Sequence, residues 1–300
     1  MGKRRLHALE RELPILSRRL DALERAVASA RIDPCAGSPA TALYLDLLVR
    51  NLTRTLYADD GTIHPGDLAN APGERVTAAD PERRRVGLDW PERAETMVGV
   101  ERLQNTRRLL EDVIRRGVPG DVIETGVWRG GVTILMRAVL AAYRDSSRLV
   151  WVADSFDGVP PPDANRYPSD TGDRLHTYRE LAIPLEVVAA NFERYGLLDE
   201  QVRFLPGWFR DTLPSAPIER LALMRLDGDL YESTIVALEA LYPKLSVGGY
   251  VVIDDYDLVG CRQAVDGFRT ANSITAPLET VDWTGVWWRK RDVFHTVESR

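Results

Sequence analysis

Two pairs of acidic residues directly follow apolar runs in this sequence. Asp227 and Asp229 come after "LALMRL", and Asp254 and Asp255 come after "YVVI". A carboxylate at the end of a buried strand is costly unless a cation lies beside it. If the two strands are neighbours, three or four carboxylates converge, and a divalent cation with oxygen ligands would compensate them. Mg²⁺ suits such ligands, with Mn²⁺ or Ca²⁺ as alternatives. Capping of the helix after each run is the competing interpretation.

Two further strand ends have the composition of a nucleoside-binding site. The run "DVIETG" is followed by Val127-Trp128-Arg129-Gly130-Gly131, whose glycines allow backbone to approach a ligand at a helix N-terminus. The next apolar run, "RLVWVADSF", ends in Asp154, and an acid at this position can bind ribose hydroxyls. The glycine turn is not the GxGxxG fingerprint of nicotinamide enzymes, and alone it is compatible with a simple tight turn. Together the two ends predict a nucleoside-containing cofactor.

The elements that must position these residues alternate from Gly120 onward. Five short apolar runs are separated by amphipathic segments such as "GVTILMRAVLAAYRD" and "ESTIVALEALYPKL". This alternation predicts a mostly parallel sheet with helices on both faces and ligands beyond the carboxyl ends of its strands. The tail "LETVDWTGVWWRK" is expected to supply edge strands.

The N-terminal part follows other patterns. Residues 1–32 carry apolar residues at alternating spacings of three and four, interrupted by Pro14, which is typical of a heptad seam. Packing of this helical arm on its own subunit and self-association through the seam both fit, and we expect a homo-oligomer, a dimer or an even-numbered assembly. Residues 41–118 are expected to form a helical cap with a substrate flap, because 58–85 is polar and broken by Gly and Pro whereas 41–57 and 94–117 have helical periodicity. Residues 119–300 would be the cofactor-binding core. The seam residues are Leu6, Leu9, Leu13, Leu16, Leu20, Leu23 and Val27.

Composition narrows the classes of function. The chain has 300 residues and a net charge of −6, so no general attraction to nucleic acid or an anionic membrane is expected. It contains no apolar run of the ~20 residues that a membrane span needs, and its start lacks the apolar core of a signal peptide. The two cysteines, Cys35 and Cys261, lie far apart, which favours reduced thiols in the cytoplasm and excludes a cysteine-rich zinc site.

Taken together, several stretches resemble the macrocin-type O-methyltransferases, enzymes that use S-adenosylmethionine and Mg²⁺ to methylate sugar hydroxyls of antibiotics. The resemblance runs from about Tyr44 to Arg289. It rests on "ETGVWRGG", "VADSFDGVP", "GWFRDTLP", "MRLDGDLYES", "GGYVVIDDY", "GCRQAVDGFR" and "DWTGVWWR". It implies a class I methyltransferase fold, a Rossmann-like seven-stranded, mostly parallel sheet with helices on both faces.

The resemblance also implies roles for individual residues. Asp227, Asp254 and Asp255 would bind the metal, with Asp227 also acting as general base. Asp229 is the fallback base because of its position, two residues further along the same strand end. Asp154 would bind the ribose, and the adenine would lie near Gly207 and Trp208. Thr96-Met97-Val98 resembles the stretch that contacts the methionine end of the cofactor. The implied cofactor-binding residues are Thr96, Met97, Glu124, Thr125, Gly126, Val127, Trp128, Asp154, Ser155, Asp157, Gly207, Trp208 and Asp227.

The predicted activity is therefore metal-dependent methylation of a sugar hydroxyl on a small glycosylated natural product. An acceptor with a phenolic, catechol or polyketide hydroxyl keeps the same chemistry and is the nearest alternative. A noncatalytic cofactor-binding scaffold would have no need of the acidic residues, and a nicotinamide-dependent oxidoreductase would lack its glycine fingerprint.

Overall fold

A computed structural model of the chain describes residues 38–57, 61–63 and 76–292. The heptad seam and Cys35 lie outside these ranges. The chain divides into two compact units, Met1–Thr41 and Ala42–Arg300, and the elements below belong to the second unit except for the start of the first helix.

The described residues form eight α-helices and ten strands, numbered here in chain order. The helices are α1 (Pro39–Leu52), α2 (Pro81–Val86), α3 (Val100–Arg115), α4 (Gly131–Ala142), α5 (Leu185–Arg194), α6 (Phe209–Thr212), α7 (Tyr231–Leu241) and α8 (Val259–Ala271). The strands are β1 (Gly61–Ile63), β2 (Val76–Ala78), β3 (Trp90–Pro91), β4 (Asp121–Thr125), β5 (Val150–Asp154), β6 (Val202–Pro206), β7 (Leu221–Leu226), β8 (Leu245–Ile253), β9 (Glu279–Thr280) and β10 (Val286–Arg289).

The main sheet has seven strands in the order β6-β5-β4-β7-β8-β10-β9. Strands β4 to β8 run parallel to their neighbours, and the tail adds β10 and β9 antiparallel at the β8 edge. The predicted seven-stranded, mostly parallel sheet is thus confirmed. The chain runs outward from β4 to β5 and β6 on one side and from β7 to β8 on the other, so the order of the strands reverses between β4 and β7. A crevice is expected beyond the carboxyl ends of the strands at such a point.

Both faces of the sheet are covered, which explains why the central strands are apolar throughout. All six residues of β7 are buried, including the charged Arg225. Alternate residues enter two separate cores: Val122 of β4 packs with helices α1, α3, α4 and α5, whereas Ile123 packs with α7 and α8. A doubly covered parallel strand has no polar face, so its polar residues collect at its ends.

Two segments differ from the sequence-based expectation. The stretch 58–85 is not simply a loop, because β1 pairs with β2 and β3 in a small antiparallel sheet, and α2 follows. Asp80 accepts hydrogen bonds from the amides of Glu82 and Arg83 and thereby caps α2. The helix expected over 94–117 begins only at Val100, and the residues before it form an irregular connection.

No helix among residues 38–57 and 76–292 is long and apolar enough to cross a membrane. Cys261 is a buried free thiol in α8.

Candidate active site

Three carboxylates meet at the carboxyl ends of β7 and β8. Asp227 directly follows β7, and Asp254 and Asp255 directly follow β8, which is hydrogen-bonded to β7 with Leu226 opposite Ile253. One oxygen of each carboxylate lies within 4.8 Å of the other two. The two strands, which the sequence allowed to be neighbours, are adjacent, and their acids converge.

Two buried arginines compensate part of this charge. Arg225, whose side chain has no exposed surface, donates to Asp227 Oδ2 at 2.8 Å and also to Glu124 and Asp254. Arg102 of α3 donates to the second oxygen of Asp254 and, at 2.9 Å, to Asp282 Oδ2. Burial acts to lower the pKa of Arg225, but the carboxylates of Asp254, Asp227 and Glu124 hold that pKa well above its ordinary value. Asp254 is therefore held at both oxygens by guanidinium groups.

Negative charge nevertheless remains in excess around Asp227 and Asp255. Burial, followed by repulsion from Asp227, Asp229 and Asp254, raises the pKa of Asp255 well above its ordinary value. The pKa of Asp227 is also raised, by burial and by Asp254. Burial raises the pKa of Asp229 to about 8, with Asp227 adding to the shift, and burial raises that of Glu124 to about 8. Two guanidinium groups do not balance this set, and its oxygen ligands are those that a hard divalent cation prefers. The residues present could hold such an ion.

Helix capping by these acids, the competing interpretation, is not what the structure shows. Neither α7 nor α8 has a capping hydrogen bond from the side chain of its N-cap residue. The first amides of α7 are instead bound by Asp170, a buried residue of the loop 155–184. Its carboxylate accepts from the amide of Tyr231 at 2.7 Å and from that of Glu232 at 3.1 Å. The aspartates at the ends of β7 and β8 are thus free of the capping role.

The glycine turn after β4 brings the backbone close to the acids. Gly126 has φ +84°, and a Cβ placed there would lie 1.6 Å from the carbonyl oxygen of Asp227. No other residue fits such an approach. The turn continues into α4, whose first residue, Gly131, lies against Glu95 and Thr96.

Asp154 at the end of β5 joins two neighbouring loops. Its carboxylate accepts hydrogen bonds from the amide of Val127 at 2.7 Å and from that of Phe156 at 2.8 Å. Burial raises the pKa of this carboxyl, and the backbone N–H groups oppose that shift. Asp154 therefore fixes the turn after β4 in addition to facing the cleft.

A cleft lies at these strand ends and is bordered by Asp154 of β5, by residues that directly follow β4, β6 and β7, and by residues of the loop 155–184. Seven of the expected cofactor residues line it: Met97, Gly126, Trp128, Asp154, Ser155, Trp208 and Asp227. Asp229, Phe209, Arg210, Glu232 and Ser233 line it as well. Of the other expected residues, four are buried behind the lining, namely Thr96, Glu124, Thr125 and Val127, while Asp157 is exposed and Gly207 half-buried.

The sequence analysis did not identify Arg225, Arg102 or Asp282 as site residues. Arg225 had a usable signal, because an arginine inside an otherwise apolar strand must be paired if it is buried. Arg102 and Asp282 had none, since one lies in an ordinary amphipathic helix and the other in a turn, 180 residues apart along the chain.

Comparison with known proteins gives a family match over most of the chain. Residues 41–290 match the family described as Macrocin-O-methyltransferase (TylF). A Streptomyces olivaceus protein, 8-demethyl-8-(2,3-dimethoxy-alpha-L-rhamnosyl)-tetracenomycin-C 4'-O-methyltransferase, is 54% identical over 86% of this chain and 94% of its own length. Mycinamicin III 3''-O-methyltransferase of Micromonospora griseorubida is 47% identical over 84% of this chain and 99% of its own.

A solved structure supports the same match. The O-methyltransferase NovP is 49% identical and superposes with a TM-score of 0.77, over 84% of this chain and 100% of its own. Demethyldecarbamoylnovobiocin O-methyltransferase of Streptomyces niveus is 50% identical over 83% of this chain and 94% of its length.

Proposed function

This chain belongs to the macrocin O-methyltransferase family, and from that premise we propose that it transfers the methyl group of S-adenosylmethionine to a sugar hydroxyl of a glycosylated natural product. One observation carries the proposal. The cleft proposed for the nucleoside cofactor is directly beside the acidic cluster of Asp227, Asp254 and Asp255. Asp227 lines the cleft and also belongs to the cluster. A methyl donor in the cleft would therefore lie beside the carboxylates.

In this proposal the cofactor is held by the ends of β4 and β5. Asp154 binds the ribose hydroxyls, Gly126 lets the backbone approach, and Trp208 borders the adenine. The cofactor residues are those expected from the sequence, and the buried Glu124, Thr125 and Val127 act by supporting the lining rather than by forming it.

The metal site of the proposal consists of Asp227, Asp254 and Asp255. The proximity of their oxygens and the excess negative charge support a divalent cation, for which we propose Mg²⁺. Such an ion, when bound, lowers the pKa of a hydroxyl that it contacts. Arg225 and Arg102 hold Asp254 in place, each through one of its two oxygens.

The chain's own contribution to the reaction is to orient the acceptor and to take its proton. As the acceptor oxygen bonds to the methyl carbon, the carbon–sulfur bond breaks, and the products are the methyl ether and S-adenosylhomocysteine. The hydroxyl proton passes to a carboxylate, and we assign this role to Asp227, with Asp229 as the second candidate because it also lines the cleft.

The substrate class follows from the relatives' names. The Streptomyces olivaceus relative is named for the 4'-oxygen of a rhamnosyl group on tetracenomycin. We assign a glycosyl hydroxyl to this chain by that similarity, and a phenolic or catechol hydroxyl remains the rival acceptor. Product analysis by NMR after incubation with rhamnosylated and phenolic acceptors separates them, and methylation of the phenols alone would overturn the sugar assignment.

Metal dependence and the base are tested together. EDTA should abolish methyl transfer and added Mg²⁺ should restore it, and full activity in metal-free protein would refute the metal site. Asp227→Asn should lose both Mg²⁺ binding, measured by calorimetry, and activity. Asp229→Asn should keep both, and an inactive Asp229→Asn enzyme that still binds Mg²⁺ would move the role of base to Asp229.

We also propose self-association through the N-terminal arm, a proposal that rests on the sequence alone. The seam from Leu6 to Val27 offers an apolar stripe that a second copy could cover. Light scattering on the full chain and on a form lacking residues 1–30 tests it. Equal masses would show that the arm does not assemble the subunits.

A further inference from the structure

An irregular segment, residues 91–98, forms part of the cleft. It lies between β3 and α3, and its residue Met97 lines the cleft. Backbone carbonyl groups outside helices and sheets need other hydrogen-bond donors when they are buried. The donors to this segment therefore determine where Met97 lies.

Arg129 of the glycine turn supplies donors at the beginning of the segment. Its Nη1 atom lies 3.3 Å from the carbonyl oxygen of Pro91, 2.9 Å from that of Glu92 and 3.0 Å from that of Ala94. The amide of Gly131, two residues further on, donates to the carbonyl of Glu95 at 2.9 Å. The turn after β4 thus donates to four of the five carbonyl groups of residues 91–95.

Arg84 of α2 holds the other end. Its Nη2 atom donates to the carbonyl oxygens of Met97 at 2.6 Å and Val98 at 3.1 Å. The segment is therefore fixed by guanidinium groups on both sides of its cleft-lining residue.

Arg129 is itself held firmly. Its guanidinium lies 4.0 Å from the centre of the Trp128 ring, and its carbonyl accepts a hydrogen bond from Asn191 at 2.8 Å. Trp128, a lining residue with φ +47°, donates through its indole N–H to the carbonyl of Glu180. Trp128 and Arg129 thus connect the turn after β4 to the loop 155–184 and to the segment 91–98, and both of these border the cleft.

The position of the segment 91–98 relative to the strands of the sheet indicates which part of a bound cofactor it contacts. The acid that suits ribose is at the end of β5, and Trp208 follows β6, so the nucleoside lies toward that side. The segment docks on Gly131 at the start of α4, which follows β4, and its Met97 lines the same cleft as Asp227. What remains of the cofactor beyond its nucleoside must therefore lie against residues 91–98.

We propose that Arg129 is a positioning residue that places the 91–98 segment against the amino-acid portion of the cofactor, and this proposal rests on the proposed function. Arg129 does so through backbone carbonyls and does not need to touch the cofactor. The affinity for the whole cofactor depends on Arg129, whereas the affinity for its nucleoside portion does not.

The test compares two ligands, one with and one without the amino-acid portion of the cofactor. Calorimetry measures the dissociation constants of S-adenosylhomocysteine and of adenosine for the wild type, Arg129→Met and Arg129→Lys. Arg129→Met should weaken S-adenosylhomocysteine binding about tenfold and adenosine binding less than about twofold, because charge-assisted hydrogen bonds to one side of the site are lost. Arg129→Lys should recover part of the loss, since an ammonium group carries three donors and the three carbonyls surround one nitrogen.

Arg107→Met is the matched control, because Arg107 pairs with Asp46 and Glu111 away from the cleft and its removal should change neither constant. Equal weakening of both ligands by Arg129→Met, or no weakening, would overturn the proposal. Should that variant not fold, Arg129→Gln and Arg129→Lys carry the same comparison. A wild type that binds neither ligand would instead refute the proposed function.

Discussion

Replacing Arg225 by methionine should destabilise the protein strongly. Methionine fills much of the same volume but removes the cation shared by Glu124, Asp227 and Asp254. Removing one partner of a buried ion pair generally costs about 3–5 kcal/mol, because the remaining charge is uncompensated. With the arginine side chain fully buried and three carboxylates affected, we expect a loss in that range at pH 7.5 in the absence of divalent metal.

The loss should depend on pH in a defined direction. Burial and the charge of Asp254 raise the folded pKa of Asp227 while Arg225 opposes that shift, so removing Arg225 should raise the pKa of Asp227 further. A carboxyl whose folded pKa is raised stabilises the protein fully below its unfolded pKa and loses that contribution as the pH rises toward the folded value. The deficit of Arg225→Met relative to wild type should therefore be smaller at pH 5 than at pH 7.5.

Urea unfolding in EDTA, followed by tryptophan fluorescence at both pH values, measures this deficit. Arg85→Met is the control, because Arg85 and its partners Glu82 and Glu101 are all exposed and surface pairs contribute only about 0–1 kcal/mol. Adding Asp227→Asn to Arg225→Met should recover about 1–3 kcal/mol, since one uncompensated charge disappears. A deficit below about 1 kcal/mol, or one that does not change with pH, would refute the reasoning that Arg225 is needed for charge compensation.

Two further substitutions test the turns around the cleft. Gly126→Ala should destabilise the protein by at least about 1–3 kcal/mol in urea unfolding, because its Cβ would collide with the carbonyl of Asp227. Gly172→Ala has a similar positive φ but open space around it, so it should cost clearly less, and equal costs would contradict the clash. Asp154→Ala should weaken S-adenosylmethionine binding by about 1–3 kcal/mol in calorimetry, because it removes the proposed ribose partner and leaves the Val127 amide without its acceptor. Unchanged affinity would limit Asp154 to the structural role.

The features of the fold and the site that the sequence predicted are those marked by a pattern within one short stretch of the chain. The five parallel strands were predictable because each is a compact apolar run, and the acids were predictable because they follow those runs directly. The small β1–β3 sheet was not, since its strands have two or three residues each and lie in a polar stretch. The two arginines at the acidic cluster were not predicted either. Arg102 reaches Asp254 across 152 positions, and no periodicity in either segment marks that pairing.

The anchoring of the loop 155–184 by Asp170 bears on attempts to exchange this loop between relatives. Its carboxylate binds the first amides of α7, and a Cβ at Gly260, at the start of α8, would lie 2.8 Å from Asp170 Oδ1. A transplanted loop would therefore work only if it brought an aspartate to the same point and met a glycine in the recipient. Crossover points placed on either side of Asp170, so that Asp170 itself stays in the recipient, leave that requirement intact.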